Sequence, residues 1–123
     1  AVLVARGKAL LEQLFRAEAR KLGFATMFFQ SAHEGALVDK IHALTDLGID
    51  AFIVNFGAYS HTSIALHDAL AASGLPAVEV HISDIKKREK FRHKSMTAGA
   101  CIGMISGKGF PGYIEALGLL AKL

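Results

Sequence analysis

The chain has 123 residues and a hydrophobic fraction of 52%, which fit one folded domain and exclude a disordered chain. Its formal net charge of +3 permits an anionic ligand but is too small to indicate a nucleic-acid-binding protein. No run approaches the roughly 18 apolar residues of a membrane span and no signal peptide is evident, so we expect a cytoplasmic protein.

Short apolar runs typical of strands alternate along the chain with longer runs of helical periodicity. The predicted strands are residues 1–4, 24–29, 51–55, 76–81 and 100–106. The predicted helices are residues 7–23, 34–46, 62–73 and 111–123. The alternation predicts a single α/β domain over residues 1–123, with five parallel strands and helices on both faces. Such sheets bind ligands beyond the carboxyl ends of their strands, so polar residues there are the first candidates.

The stretch "VEVHISD", residues 78–84, ends the fourth predicted strand with alternating apolar and polar residues. Glu79 and His81 lie two residues apart, so their side chains share one face of the strand. A carboxylate beside an imidazole fixes the ring tautomer and stabilises the imidazolium form, as a general acid requires. The alternative is a strand-end histidine that forms a hydrogen bond with the backbone.

The basic run after this strand offers a second candidate feature. If residues 84–91 form a short helix, the N–H of Ile82 and the hydroxyl of Ser83 would face an anion such as a carboxylate. The residues alone favour Ser83 as a helix N-cap instead. Arg88 and Arg92 lie one turn apart, in a charge run typical of a solvated surface, although one arginine could reach over a site.

The stretch "NFGAYSHTS", residues 55–63, follows the third predicted strand. A buried amide at Asn55 needs a partner, which mildly favours contact with a ligand. The alternative to a ligand site here is that Ser60 or Thr62 simply caps the helix that follows. The six histidines and the one cysteine, Cys101, lack the spacing of metal ligands, so we expect no metal site. Cys101 fits a buried structural thiol in a reducing compartment.

The joint between the first strand and the first helix is unusually short. Only Ala5 and Arg6 separate Val4 from Gly7, whereas a strand-to-helix turn usually needs two to six residues with turn chemistry. We interpret this joint as the place of a missing segment. If a segment is missing there, one pair of consecutive α-carbons should be much farther apart than about 3.8 Å.

Together these stretches resemble type II 3-dehydroquinate dehydratase, a lyase of the shikimate pathway. The similarity runs in order through "FFQSAHEGALVDKIH", "VNFGAYSHTSIALHDAL", "VEVHISD…REKFRHKS" and "GMISGKGFPGYIEAL". It implies a flavodoxin-like three-layer sandwich that assembles as a homododecamer, a tetramer of trimers. It also implies anti elimination of water from 3-dehydroquinate through an enolate, without a metal, a cofactor or a Schiff-base lysine.

The resemblance also implies roles for individual residues. His81 would be the general acid that protonates the departing hydroxyl, and Glu79 would orient it. Arg88 matches a common family arginine without an assigned role. The implied substrate-binding residues are Asn55, His61 and Arg92 at the ring hydroxyls, Ile82 and Ser83 at the carboxylate, and Asp68 at a position tied to the ligand and a subunit contact.

The sequence departs from the family at the short joint. The family carries an N-G-P-N-L motif there, followed by a lid with an arginine and the tyrosine base. None of this is present: Tyr59 and Tyr113 match other positions, and Arg6 lacks the lid context. Asp84 replaces a frequent asparagine, and Phe56 a frequent proline or small residue. The alternatives to an active dehydratase are a non-catalytic relative that binds a polyhydroxy acid or serves as an assembly subunit, and a generic flavodoxin-like binding module.

Overall fold

A parallel sheet forms the centre of the computed structural model, which describes residues 2–4 and 9–123, with side chains from residue 12 onward. Its strands are β1 Val2–Val4, β2 Thr26–Phe28, β3 Ala51–Val54, β4 Ala77–His81 and β5 Gly103–Ser106. They pair in the order β2-β1-β3-β4-β5, and every pairing is parallel. The predicted α/β class is confirmed.

Four α-helices connect and cover the strands. They are α1 Ala9–Lys21, α2 Glu34–Asp46, α3 Ile64–Ser73 and α4 Pro111–Ala121. Helix α2 has its predicted bounds, whereas α3 begins two residues later than predicted. The predicted cap at Ser60 or Thr62 is wrong, because the Ser63 hydroxyl accepts the hydrogen bond from the N–H of Leu66 at 2.9 Å.

The apolar core lies in two layers, one on each face of the sheet. Helices α1 and α4 cover one face, where Phe15 and Leu117 pack against Ile53, Val78 and Val80, among others. Helices α2 and α3 cover the other face and contribute a second set of side chains: Leu37, Ile41, Leu44, Leu66, Ala69 and Leu70, packed around Phe52, Val54 and Ala77. Because side chains alternate along a strand, Glu79 and His81 of β4 point to the same face as Ala77, toward α2 and α3.

The segment after β5 packs against the turn after β4. The N–H of Gly107 donates to the carbonyl of His81 at 3.2 Å, and the N–H of Gly109 donates to the carbonyl of Ile82 at 3.0 Å. Gly107 has a φ of +79°, and a Cβ there would lie 2.9 Å from the Cβ of Asp84. Both facts require glycine at this position. This packing fixes the backbone at the carboxyl end of β4.

Two predicted boundaries differ because short 3-10 turns replace regular elements. Residues 98–100 form such a turn, so β5 begins at Gly103 rather than at residue 100. The basic run forms two turns, Ile85–Lys87 and Lys90–Arg92, instead of one helix. Asp84 caps the first of them, its carboxylate accepting from the N–H of Lys86 at 3.0 Å.

The short joint falls on residues 5–8, which lie outside the described residues. The expected wide spacing of α-carbons between Val4 and Gly7 therefore stays a prediction. Within the described residues, every helix falls short of the length and apolar character that a membrane crossing requires.

Candidate active site

A cavity of about 240 Å³ opens at the carboxyl ends of β3 and β4. Its wall includes six of the residues predicted to form the site: Asn55, His61, His81, Ile82, Ser83 and Arg92. Arg88 also lines it. A second cavity of about 210 Å³ shares Asn55, Gly57 and Ala58 with the first and extends past Tyr59 toward Gln30. The sheet therefore brings most of the predicted residues together at the edge where ligands bind to folds of this class.

Glu79 and His81 form a buried pair, of which His81 lines the cavity. The side chain of Glu79 has no exposed surface and His81 is 6% exposed. The Oε2 atom of Glu79 lies 2.8 Å from the Nε2 atom of His81. A carboxylate only accepts hydrogen bonds, so Nε2 carries the proton and donates it. The other ring nitrogen, Nδ1, is then available for proton transfer. The ring is bonded to the Glu79 carboxylate and not to the backbone, as the alternative interpretation of His81 had it.

Two hydroxyl groups complete the surroundings of Glu79. Ser95 Oγ donates to Oε2 at 2.5 Å, and Thr97 Oγ1 donates to Oε1. Burial alone raises the pKa of Glu79, but the hydrogen bonds from His81, Ser95 and Thr97 outweigh it and hold the pKa below its usual value. Glu79 is therefore ionised at neutral pH, and it places a negative charge 2.8 Å from the ring nitrogen of His81.

We expect Glu79 to make stability depend on pH in acid. Its pKa in the folded protein lies below the ordinary value of 4.5, so the unfolded chain binds the proton at higher pH than the folded protein does. The stabilisation is then complete above about pH 4.5 and is lost as the pH falls through the folded-state pKa. Urea unfolding of the wild type and of Glu79→Gln from neutral to acid pH should show a stability difference that shrinks below pH 4.5. A difference that is constant with pH would contradict this assignment.

His61 lies beside His81 in the cavity wall. The two rings stack with centroids 5.9 Å apart at an interplanar angle of 26°. Nδ1 of His61 lies 2.8 Å from the carbonyl oxygen of Lys94, which only accepts, so Nδ1 carries the proton. With Nδ1 bonded in this way, Nε2 is the ring nitrogen that remains for a hydroxyl group of a ligand.

The turn after β4 has the backbone geometry of an anion site. In a planar trans peptide the carbonyl of one residue and the N–H of the next point in opposite directions. The carbonyls of His81 and Ile82 are held by Gly107 and Gly109, so the N–H groups of Ile82 and Ser83 point away from those glycines. Ser83 Oγ accepts from Nη1 of Arg88 at 3.2 Å. The preferred sequence interpretation of Ser83 as an N-cap is wrong, since Asp84 is the cap.

Asn55 lies between the two cavities with a fixed side chain. Its Oδ1 accepts from the N–H of Gly57 at 3.0 Å, and its Nδ2 lies 3.0 Å from the hydroxyl of Tyr113. The protein itself therefore supplies hydrogen-bond partners for this amide, which does not need a ligand to be satisfied. The amide nevertheless lines both cavities in one defined orientation.

Both arginines of the basic run reach the cavity, rather than one of them. The Nε of Arg92 donates to the two carboxylate oxygens of Glu89 at 3.1 and 3.2 Å, and the side chain of Arg92 is 26% exposed. Glu89 also lies 3.5 Å from the Nε of Arg88. The pair gives the cavity a positive wall that suits an anionic ligand.

The comparisons with known proteins agree with this geometry. The sequence profile described as Dehydroquinase class II matches residues 6–121. The chain belongs to this family. The 3-dehydroquinate dehydratase of Caldicellulosiruptor bescii is 53% identical over 106 residues, which cover 86% of this chain and 73% of that protein. The protein of the same name from Bacillus cytotoxicus is 50% identical over 121 residues, which cover 95% of this chain and 82% of that protein.

The class II dehydroquinase fold is also confirmed by solved structures. The type II dehydroquinase from Butyrivibrio crossotus superimposes with a TM-score of 0.92 at 34% identity, over 97% of this chain and 95% of that one. A dehydratase-like protein from Bifidobacterium longum superimposes with a TM-score of 0.76 at 29% identity. The family resemblance drawn from the sequence motifs is thus confirmed.

Asp68 is the predicted site residue of this dehydroquinase chain that neither lines the cavity nor contacts a side chain of its wall among the described residues. Its side chain is 72% exposed on α3 and lies 3.1 Å from Nδ1 of His67. An exposed position suits the subunit contact that the resemblance implies, which stays a prediction. The described side chains also include no group of three that could hold a metal ion.

The sequence reasoning missed Ser95 and Thr97. Ser95 is the last residue of the quoted motif "REKFRHKS", but no periodicity or spacing in the sequence assigns its hydroxyl a partner. Thr97 lies beyond the motif. A usable signal was the carboxylate itself. A glutamate inside a strand of a doubly covered sheet must find hydrogen-bond donors, and small hydroxyl residues after the basic run were the available ones.

Cys101 is a half-buried thiol close to this site. Burial and the negative charge of Glu79 raise the pKa of Cys101 to about 12, and its Sγ lies 3.6 Å from the carbonyl of Thr97. We expect iodoacetamide at about pH 8 to leave the native protein unmodified, because the thiolate is the reacting form. Mass spectrometry should show alkylation only in denaturant. Rapid modification of the folded protein would contradict this.

Proposed function

We propose that this class II dehydroquinase is a 3-dehydroquinate dehydratase of the shikimate pathway, converting 3-dehydroquinate into 3-dehydroshikimate and water. The observation that carries the proposal is the Glu79–His81 pair. In this pair the protonated Nε2 of His81 is held by an ionised carboxylate, and Nδ1 remains for proton transfer. The same cavity contains the turn at Ile82 and Ser83, whose N–H groups suit an anion.

The reaction is an elimination with no change in oxidation state. A base removes the proton next to the ketone, and an enolate forms. The enolate then re-forms the ketone as a carbon–carbon double bond forms and the carbon–oxygen bond breaks. His81 gives the Nδ1 proton to the departing hydroxyl, which leaves as water, and Glu79 stabilises the imidazolium that precedes this step. The residues need no metal or cofactor for these transfers.

The substrate would be held by polar groups on three sides. The N–H groups of Ile82 and Ser83 and the Ser83 hydroxyl would bind its carboxylate. The ring hydroxyls would contact the amide of Asn55, Nε2 of His61 and the guanidinium of Arg92. Their common position in one cavity wall supports these roles. We also include Asp68, which we place at a subunit contact next to the ligand.

No residue of this chain is assigned as the base that removes the proton next to the ketone. The family resemblance implies a base on a lid after the first strand, whereas this chain has only Ala5 and Arg6 between Val4 and Gly7. A chain that truly lacks the lid would bind a polyhydroxy acid without turning it over, which is the second candidate function. Peptide mass mapping across Val4–Gly7 of the purified protein decides which chain is being assayed.

The test is an assay with 3-dehydroquinate, in which the conjugated product is followed by its ultraviolet absorbance. Turnover supports the dehydratase. Binding detected by calorimetry without turnover supports the non-catalytic relative. A protein that neither turns over nor binds 3-dehydroquinate overturns both proposals.

We also propose that the chain assembles as a homododecamer, a tetramer of trimers, as the family resemblance implies. Large exposed apolar side chains such as Leu47, Ile64 and Ile102 support an assembly, since they are 72%, 60% and 56% exposed in one subunit. Sedimentation velocity should give a mass near twelve subunits. A stable monomer at micromolar concentration would contradict the assembly and the role of Asp68.

The finer description of the fold belongs to the same proposal. We assign residues 1–123 to one flavodoxin-like domain, a three-layer sandwich with a five-stranded parallel sheet. The strand order β2-β1-β3-β4-β5 supports it, because this is the order of flavodoxin-like proteins. The resemblance to a biosynthetic enzyme supports a cytoplasmic location.

A further inference from the structure

The carboxylate of Glu79 is held at both oxygens, and each oxygen has its own hydroxyl donor. Oε1 accepts from Thr97 Oγ1, and Oε2 accepts from Ser95 Oγ at 2.5 Å and from Nε2 of His81 at 2.8 Å. With donors on both oxygens the carboxylate cannot turn about its last bond without losing a bond to a buried group. The side-chain torsion that ends in a carboxylate is otherwise broad.

The two hydroxyls come from one short segment, Lys94–Thr97, which we name the clamp segment. Its backbone is anchored to the turn before α3. The N–H of Met96 donates to the carbonyl of Ser60 at 2.7 Å, and the N–H of Thr97 approaches the same oxygen at 3.4 Å. Inside the segment, Ser95 Oγ accepts from the N–H of Ala98 at 3.1 Å. With its proton donated to Glu79, Ser95 is satisfied as both donor and acceptor.

The clamp segment also reaches the second histidine of the cavity. The carbonyl of Lys94 accepts from Nδ1 of His61 at 2.8 Å, which fixes the tautomer of that ring. The clamp segment therefore acts on both histidines of the cavity. It contacts His61 itself and sets the tautomer of that ring, and it contacts Glu79, which sets the tautomer of His81. It lies just after Arg92, which lines the same cavity.

We propose that Ser95 and Thr97 are positioning residues that hold the Glu79 carboxylate in the one orientation in which it keeps His81 ready to donate its Nδ1 proton. This inference adds a detail to the proposed dehydratase function. Only its expected effect on turnover rests on that function. The geometric claim concerns Glu79 and His81 in the free protein. If either hydroxyl is lost, the carboxylate loses a charged hydrogen bond and gains freedom to turn away from the ring.

The test uses Ser95→Ala, Thr97→Val and the double variant in the full-length protein. Thr97→Ser keeps the hydroxyl and serves as the rescue variant. Thr45→Val is the matched control, because it removes a half-buried hydroxyl that donates to the carbonyl of Ile41 on α2 at 2.7 Å, away from Glu79. Thermal unfolding of each variant confirms that it folds.

The first readout needs no substrate. In protein labelled with carbon-13 at glutamate carboxyls, the signal of Glu79, assigned with Glu79→Gln, reports its titration. We expect the pKa of Glu79 to rise in Ser95→Ala and Thr97→Val and to rise further in the double variant. It should stay low in Thr97→Ser and Thr45→Val. A merely structural role for the hydroxyls would change stability without moving this titration.

The second readout is the pH profile of kcat with 3-dehydroquinate. We expect kcat of the double variant to fall about ten- to a hundredfold with little change in KM, and its acid limb to move to higher pH. A folded double variant with an unchanged Glu79 titration overturns the positioning role, whatever its activity. A wild type that is inactive overturns the proposed function instead, and the titration then decides the positioning role alone.

Discussion

His81→Ala is expected to lower kcat for 3-dehydroquinate by roughly 10² to 10⁴, the usual contribution of general acid catalysis. The reason is that Nδ1 is the ring nitrogen left free in the cavity once Nε2 is bound to Glu79. The groups assigned to the substrate carboxylate and ring hydroxyls are unchanged in this variant. Calorimetry should therefore find substrate or product bound with an affinity close to that of the wild type.

The matched control is His42→Ala, which removes an exposed histidine from α2 on the surface of the protein. This variant should retain wild-type kcat. Near wild-type turnover in His81→Ala would remove His81 from the mechanism. A loss of binding equal to the loss of turnover would instead make His81 a substrate ligand only.

Glu79→Ala is expected to lower the free energy of unfolding by about 3 to 5 kcal/mol, in addition to reducing turnover. The carboxylate is completely buried and accepts hydrogen bonds from His81, Ser95 and Thr97. Its removal leaves three donors facing a space that no acceptor fills. Urea denaturation at one fixed protein concentration measures the change, since assembly also contributes to apparent stability.

The control for this prediction is Glu115→Ala, because Glu115 also forms a charged pair, with Lys108 at 2.8 Å. Both partners of that pair are about half exposed, so its loss should change stability by no more than about 1 kcal/mol. A similarly small effect for Glu79→Ala would show that the buried carboxylate contributes no more than a surface pair.

The layout of the sheet could be predicted because its signals are local. Each strand is a short apolar run between turn residues, and the helices carry apolar stripes with Gly23 and Gly74 at two of their ends. The first residues of α3 and β5 differ from those predicted. Ser60, Thr62 and Ser63 all have a hydroxyl that can cap a helix, so residue type alone does not select Ser63. The backbone at Ser60 is held by the clamp segment, a contact over more than thirty residues that no local pattern encodes.

The part of the candidate site that lies within strand β4 could be predicted, and the parts contributed by other segments were predicted less well. Glu79 and His81 share a face because they are two residues apart, so alternation alone pairs them. Ser83 was misread because an N-cap and an anion site use the same residue types at the same place in the sequence. Ser95 and Thr97 were missed because nothing in their local sequence refers to Glu79.

The buried carboxylate also bears on how the protein folds and opens. The hydroxyls that satisfy Glu79 lie 16 and 18 residues farther along the chain. A partly folded state with β4 in the sheet and the clamp segment detached would leave a charge in the interior without those donors, which is unfavourable. Such a state should be sparsely populated, so the clamp segment and β4 should open together as one cooperative unit. The buried carboxylate of Glu79 thus couples the clamp segment to the central strand β4.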